Sequence, residues 1–180
     1  MHTMQYILTE VERMDEQTTE DIEQEAIVQV NSWLDYNTGE YSSGWSDYAT
    51  VGARWADVPI LIYSDENACQ FLEALDLIDL KQLSLFNEYF AEFDFPSISS
   101  VMTKYSNGEE IDHQELYEAN VSSLTSALKI MRGYWTWDSG YYDTIDWTPK
   151  TKHFRERLQK AIDNNDTTMI YCLVPVDFHF

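Results

Sequence analysis

Runs of hydrophobic and polar residues typical of strands occur near both ends of the chain. The first run is 4–11, MQYILTEV, and the last is 168–174. Because proline cannot donate to a strand ladder, Pro175 predicts that the last strand ends there, at a sheet edge or exit. A short apolar run at 59–63 predicts a third, buried strand.

Apolar residues between these runs recur at helical spacing. In the first half of the chain they predict three helices: from Thr18 or Thr19 to about Asn37, from Ser64 through Leu75, and over about 80–93. A fourth helix is predicted to begin at a capping box formed by Asp112 and Glu115 and to reach about Arg132. A fifth is predicted from Thr148, which precedes a proline, to about Asn164. Residues 97–108 are predicted to be extended up to a turn at Asn107 and Gly108. The turn-rich aromatic segment 38–50 is predicted to be a loop or hairpin, and the aromatic segment 133–147 to be a loop. Strands at both termini with helices between them indicate an α+β fold, a small sheet that includes both terminal strands and packs with about four to five helices.

The composition indicates one folded domain spanning 1–180, since typical domains have about 100–150 residues. Hydrophobic residues make up 44% of the chain and aromatics 14%, which excludes a disordered acidic tail. Cys69 and Cys172 lack metal-binding spacing, so we expect two free thiols in a reducing cytosol. No apolar run approaches the roughly 20 residues of a membrane span. We therefore expect a cytoplasmic protein of a bacterial host.

The charge is strongly negative and unevenly distributed. Asp and Glu number 32 against 11 Lys and Arg, a formal net charge of −21. Residues 1–95 hold 20 acidic and three basic residues, whereas residues 96–180 hold 12 acidic and eight basic ones. Colloidal stability needs a net charge of only about 2–8 in magnitude, so the negative charge of this chain is greater than solubility requires. Such a chain repels bare nucleic acid and anionic membranes and attracts basic surfaces.

The densest acidic run, from Glu10 to Glu25, indicates mimicry of a nucleic-acid backbone. Carboxylates at i,i+3 or i,i+4 on a helix lie about 5–6 Å apart, and duplex DNA carries about one charge per 1.7 Å of its axis. The alternative is a solvated helix face with acids that favour the macrodipole. The predicted partner-binding residues are Glu12, Asp15, Glu16, Glu20, Asp21, Glu25, Asp35, Glu40, Trp45 and Asp47.

Aromatic residues are interleaved with these acids, and Tyr and Trp are enriched at protein interfaces. Trp33, on the apolar stripe of its helix, is predicted to be a core residue instead. The segment 149–160 carries the one concentration of basic residues. We expect it to offset acids within the chain or on a second copy, which leaves a homodimer open.

Catalytic motifs do not occur in this sequence, which has no phosphate-binding glycine loop, nucleophile elbow or HExxH. Asp177 and His179 are two residues apart on the last predicted strand, so both side chains point to one face. With His153 or His113 they would form an acid–base or metal site. Two residues are a weak signal, and we predict no enzyme, no cofactor and no metal.

Two segments resemble small uncharacterised proteins of phages and mobile elements. In that pattern an aromatic segment leads to Gly-Gly-Arg-Trp, and the chain ends near Val-Asp-aromatic-His. The segments here are 47–55, DYATVGARW, in which Ala53 replaces the second glycine, and 176–180, VDFHF. The resemblance implies a mobile-element setting. In charge alone, the chain is also similar to acidic DNA mimics of the anti-restriction class.

These observations predict an acidic inhibitor that occupies the basic groove of a nucleic-acid-binding host-defence protein, a restriction or CRISPR effector. It would bind that protein, with no direct contact to nucleic acid or membrane. The alternatives are an acidic accessory protein that self-assembles through its basic helix, and an enzyme that uses Asp177 and His179.

Overall fold

A computed structural model describes residues 2–38, 48–91, 95–119, 125, 128, 141–145 and 151–179. The strands within them are β1 (His2–Glu12), β2 (Tyr48–Val51), β3 (Leu61–Ile62), β4 (Tyr141–Asp143) and β5 (Met169–His179). The helices are α1 (Thr19–Thr38), α2 (Ala68–Ala91), α3 (Phe95–Ser106), α4 (His113–Glu118) and α5 (Thr151–Asp163), with a 3₁₀ turn at Ala53–Trp55. This arrangement confirms the predicted α+β fold class.

The two terminal strands form the centre of the sheet. β1 and β5 pair antiparallel over their full lengths, from His2–His179 to Glu12–Met169. β4 pairs parallel with β1 on one side, and β2 and β3 pair antiparallel with β5 on the other. The prediction that both terminal strands share one sheet is therefore confirmed.

Helices cover both faces of this sheet, because successive side chains of β1 and β5 point to opposite faces. One face packs Ile7, Val11 and even-numbered residues of β5 against the buried stripe of α1. The other packs Leu8, Tyr171 and Leu173 against α2 and α5. Each fully buried large apolar side chain stabilises the fold by about 1.5–3 kcal/mol. Trp33 is partly buried and packs against the first core, as expected.

Pro175 does not end the last strand, so that prediction was wrong. β5 continues through it to His179. The residue lies opposite Tyr6 on β1 and, on its other side, between the stretches paired with β2 and with β3. Its carbonyl accepts a hydrogen bond from the Gly52 backbone N–H at 3.0 Å. Pro175 thus lies in the gap between the residues of β5 that pair with β2 and those that pair with β3, so its missing N–H costs no hydrogen bond of the sheet.

Residues 97–106 form a helix rather than an extended segment, which corrects a second prediction, whereas the turn predicted at Asn107 and Gly108 is confirmed. The helical residues belong to α3, which has Pro96 in its first turn, where the missing N–H is tolerated. Thr103 and Ser106 donate their hydroxyls to carbonyls one turn earlier, at 2.8 and 2.9 Å. The helix ends at Ser106, and Gly108 in the turn that follows has a φ of 72°, which favours glycine. Ile98 is buried, so tertiary packing outweighs the low helix propensity of the β-branched and serine residues.

Several smaller boundaries also differ from the predictions. The helices expected on either side of residue 78 are one continuous helix, α2, and the strand expected at 59–63 is the two-residue β3. β4 lies within the predicted loop 133–147. The capping box at Asp112 and Glu115 is confirmed, but Tyr117, expected on an apolar face, is 81% exposed. β2 likewise begins at the end of the predicted segment 38–50. Most of the helix predicted to reach Arg132, most of both aromatic segments, and the predicted helix start at Thr148 lie outside the described residues.

The turn after β2 contains two consecutive residues with positive φ, Gly52 at 69° and Ala53 at 45°. A left-handed conformation costs an L-residue roughly 1–2 kcal/mol. Ala53 therefore adopts a backbone conformation that glycine adopts more readily. This is the position at which the mobile-element pattern carries its second glycine.

Candidate partner-binding surface

Three loops meet at the end of the sheet where β1 finishes and β5 begins. The backbone N–H of Arg13 donates to the carbonyl of Thr168 at 2.8 Å, joining the β1–α1 loop to the α5–β5 loop. The backbone N–H of Tyr63 donates to the carbonyl of Tyr171, also at 2.8 Å, which adds the β3–α2 turn. The register of the central strands therefore brings together segments that are about 150 residues apart in the sequence.

Exposed carboxylates project from all three loops, and we call this surface the acidic end. Its members are Glu12, Asp15, Glu16, Glu20, Asp21, Asp65, Glu66, Asp163 and Asp166. The basic residues nearest to them in sequence are Arg13 and Lys160. Within the described part of the chain, Glu12, Asp15, Glu16 and Glu20 form no salt bridge. Their negative charge therefore faces solvent without an ionic partner.

Local hydrogen bonds fix the backbone that carries these carboxylates. The Asp21 carboxylate accepts from the backbone N–H and hydroxyl of Thr18 at 2.9 and 2.6 Å, while the Thr18 hydroxyl accepts from the Asp21 N–H at 3.2 Å. This reciprocal cap begins α1. Hydrogen bonds from Thr18 also lower the pKa of Asp21, and hydrogen bonds from Thr168 lower the pKa of Asp166. Both groups therefore stay ionised at neutral pH.

The predicted partner-binding residues do not all lie on this surface. Glu12, Asp15, Glu16, Glu20 and Asp21 are brought together at the acidic end. Glu25 lies on α1, partly buried, and accepts a hydrogen bond from Gln29 at 3.3 Å. Asp35 lies 15 residues beyond Glu20 on the same helix, about 22 Å away. Glu40, Trp45 and Asp47 lie outside the described residues.

Sequence reasoning did not identify Asp65, Glu66, Asp163 and Asp166 as partners of the acidic run. The spacing of those residues along the chain carries no such signal, since only the pairing of β1 with β5 and of β3 with β5 places them nearby. Between the acidic end and Asp35, the outward side of α1 carries the uncharged residues Gln24, Val28 and Asn31. The exposed carboxylates of α1 thus lie at its first turn and at Asp35 and do not form a continuous row along the helix.

The basic segment is largely used inside the fold. Arg157 of α5 donates through Nε to Glu10 of β1 and through Nη2 to Asp143 of β4, at 2.8 and 3.0 Å for the two Asp143 oxygens. The carboxylate side chains are 7% and 0% exposed. Burial alone would lower the pKa of Arg157, but hydrogen bonds and the charges of both partners raise it instead. We call Arg157, Glu10 and Asp143 the Arg157 network.

A second arginine of α5 pairs with the neighbouring helix. Arg155 donates through Nη2 to Asp76 at 2.8 Å and to Asp79 at 3.0 Å, both on α2. Those two carboxylates are 66% and 47% exposed, so this ion pair is much more exposed to solvent than the Arg157 network. The expectation that the basic helix offsets acids of its own chain is therefore confirmed for these two arginines.

The pair considered for catalysis, Asp177 and His179, lies at the opposite end of the sheet. The two residues share a face of β5, and the histidine that contacts Asp177 is His2, which the sequence did not suggest, in contrast to His153 and His113. His2 Nδ1 lies 3.1 Å from both carboxylate oxygens of Asp177, and the His2 and His179 ring centroids are 4.7 Å apart. These contacts tie the first strand to the last. No group of three His, Cys, Asp or Glu residues suited to a metal ion occurs in the described part of the chain.

The cysteines are unpaired, as predicted. Cys69 on α2 is exposed, and Cys172 on β5 is fully buried. Burial, followed by the charge of Glu23, raises the pKa of the Cys172 thiol to about 12. Cys172 is therefore an unreactive core residue.

Comparison of the chain with protein-family models, curated proteins and solved structures gave no match. The resemblance of segments 47–55 and 176–180 to mobile-element proteins therefore stays a prediction. Among the helices that the structure describes, none combines the length and apolarity required to cross a bilayer.

Proposed function

We propose that this chain is an acidic inhibitor that binds the basic groove of a nucleic-acid-binding protein and keeps nucleic acid out of it. The observation that supports this function is the acidic end, where exposed carboxylates from three loops converge on one surface. The mechanism is competitive and steric, and it requires no chemistry from the chain.

The physical basis is that phosphate contacts supply most of the affinity of a basic groove for nucleic acid. A protein surface with clustered carboxylates offers the same charge to the Lys and Arg of such a groove. Because Arg13 and the Thr18 cap fix the backbone that carries the carboxylates, the loops lose little backbone entropy on association. Self-repulsion among these groups disfavours the free protein and is relieved when the partner neutralises them.

We further propose that the target is a restriction or CRISPR effector and that the inhibitor is encoded by a phage or mobile element. The support for this finer assignment is the resemblance of segments 47–55 and 176–180 together with the overall charge of −21. Acidic DNA mimics of the anti-restriction class are similar in charge.

The second candidate function is self-assembly, with α5 docking on an acidic face of another copy. The internal ion pairs of Arg155 and Arg157 favour the inhibitor instead, because they engage two of the cations that such docking would use. Light scattering at several salt concentrations separates the two functions, since an electrostatic oligomer dissociates as salt is raised.

Affinity capture with a matched pair of variants tests the proposal. The neutralised variant carries Glu12→Gln, Asp15→Asn, Glu16→Gln and Glu20→Gln, and it keeps Asp21 because that residue caps α1. The control variant carries Asp57→Asn, Glu73→Gln, Glu88→Gln and Glu110→Gln, exposed acids elsewhere with the same total charge change.

Each immobilised protein is exposed to a bacterial lysate at about 50 mM salt, where phosphate-like contacts are strong. Bound proteins are then eluted with duplex DNA and, separately, with RNA. We expect the native chain and the control variant to release nucleic-acid-binding proteins, and the neutralised variant to release few. Equal release from the neutralised variant, or retention that nucleic acid does not displace, would contradict the proposal.

A further inference from the structure

A half-open cavity of about 360 Å³ lies within the acidic end, where the α5–β5 loop meets the β3–α2 turn. Its volume is at the lower end of the roughly 300–1,000 Å³ of small-ligand sites. Carboxylates of Asp65 and Asp166 line it, together with the rings of Tyr63 and Tyr171. None of these four residues belongs to the acidic run from Glu10 to Glu25, so the cavity is a part of the acidic end that this run does not form.

The lining of the cavity has an apolar part and an anionic part. The apolar part comes from α5 and the start of β5 and includes Leu158, Ile162 and Met169. In the anionic part, hydrogen bonds from Thr168 lower the pKa of Asp166 and keep it charged. This combination fits a ligand with an aliphatic segment that ends in a cation.

The two tyrosines add neutral polar groups to these walls. Burial raises the pKa of Tyr63, with a further contribution from the charge of Asp65. Burial likewise raises the pKa of Tyr171. Both phenols are therefore protonated at physiological pH. The ring of Tyr63 is partly exposed and offers a cation an electron-rich aromatic surface, whereas the buried ring of Tyr171 packs against Phe154.

Arg13 also lines the cavity, and its hydrogen bonds hold the β1–α1 loop against the α5–β5 loop. Its Nε donates to the carbonyl of Thr167 at 3.0 Å and its backbone N–H to the carbonyl of Thr168 at 2.8 Å. The lining thus holds one guanidinium and two carboxylates, and it belongs to a surface that carries further exposed acids. The net field favours a cation over a phosphate.

We propose that this cavity binds the side chain of a lysine or arginine from the protein partner. The aliphatic stem of that side chain packs on Ile162 and Met169, and its cationic group lies between Asp65 and Asp166. Lysine and arginine are the side chains that combine an apolar stem with a charged head. This site rests on the proposed function and adds to it an anchor for one basic residue of the groove.

The test is an NMR titration of the free chain with N-acetyl-arginine amide and N-acetyl-lysine amide. N-acetyl-citrulline amide, a neutral analogue of the arginine probe, is the matched control ligand. We expect the cationic probes to shift signals of Tyr63, Ile162 and Asp166 and the citrulline probe to bind at least about tenfold more weakly, as expected for loss of one charge-assisted interaction.

Two variants locate the binding. Asp65→Asn with Asp166→Asn should weaken the cationic probes by about tenfold or more, whereas Asp57→Asn with Glu88→Gln should not. Ile162→Trp fills the cavity and leaves every carboxylate in place, so it should abolish the shifts. Ile162 is 39% exposed, and the larger ring can be accommodated without disturbing the core.

Equal binding of arginine and citrulline probes, or shifts that persist in Ile162→Trp, would overturn the proposal. That result leaves the proposed function intact if the neutralised variant still loses capture of nucleic-acid-binding proteins. Conversely, the probes could bind in the cavity while the native chain captures no protein that nucleic acid displaces. That result would support the cation site and reject the proposed inhibitor function.

Discussion

Carboxylates occur both in the Arg157 network and at the acidic end, and they differ in burial and in partners. In the network, Glu10 and Asp143 are almost completely buried, and one guanidinium bonds both. At the acidic end, Glu12, Asp15 and their neighbours are exposed. Carboxylates of the first kind hold α5 on the sheet. At the acidic end, Asp21 and Asp166 hold local backbone, whereas Glu12, Asp15, Glu16 and Glu20 repel one another and contribute little to the fold, which makes them available to a basic partner.

Arg157→Met should have the largest effect on stability. Methionine keeps a flexible stem of similar size but leaves Glu10 and Asp143 buried without a positive partner, which costs about 3–5 kcal/mol. Urea unfolding monitored by circular dichroism measures this change in the free energy of unfolding. Lys152→Met on the same helix is the control, because Lys152 is 75% exposed, its pair with Glu156 spans 3.6 Å and its loss costs about 0.5 kcal/mol or less. Equal costs for the two variants would show that the network does not differ from a surface ion pair.

Thr18→Ala should have an intermediate effect, because it removes the cap that begins α1 beneath the acidic end. Loss of a threonine N-cap costs about 1 kcal/mol. The chemical-shift titration of Asp21 should also move to higher pH, since Thr18 lowers the pKa of that carboxyl. A group with a lowered folded pKa stabilises the native state above its unfolded pKa, and this contribution is lost as pH falls. The variant should therefore depend less on pH below about 4, the ordinary range of Asp. An unchanged Asp21 titration would contradict the cap.

Arg155→Met should cost at most about 1 kcal/mol, although Arg155 bonds two carboxylates as Arg157 does. The difference in cost follows from burial, since Asp76 and Asp79 remain hydrated when their partner is removed. Raising salt to about 1 M should shrink this cost, because salt screens exposed pairs more than buried ones. The same urea experiment measures it. A cost equal to that of Arg157→Met would mean that pairing alone, and not burial, decides stability.

The neutralised variant should change stability least, by about 0.5 kcal/mol or less, and in the stabilising direction because mutual repulsion is reduced. Thermal unfolding at low salt, where repulsion is strongest, checks the sign. Marked destabilisation would show that these carboxylates support the fold, in contrast to the availability inferred for them.

Much of the fold was predictable from the sequence because β1, α1, α5 and β5 carry regular apolar patterns. α3 was not, since its serines and β-branched residues resemble an extended segment and tertiary packing of Ile98 decides the outcome. Of the acidic end, the sequence identified only the acids between Glu12 and Asp21, because they lie close together along the chain. Asp65 and Asp166 join them through strand register, which local pattern does not encode. Arg157 left a usable signal, since it lies three residues after buried Phe154, at the margin of the apolar stripe of α5.

The salt dependence of binding to a captured nucleic-acid-binding protein tests most directly whether the acidic end is the partner surface. Dissociation constants for the native chain, the neutralised variant and the control variant are measured between about 50 and 200 mM salt, where phosphate-type contacts weaken steeply. The account predicts a steep loss of affinity with salt for the native chain and the control variant, and weak, nearly salt-independent binding for the neutralised variant. Identical affinity and salt dependence in all three proteins would contradict it.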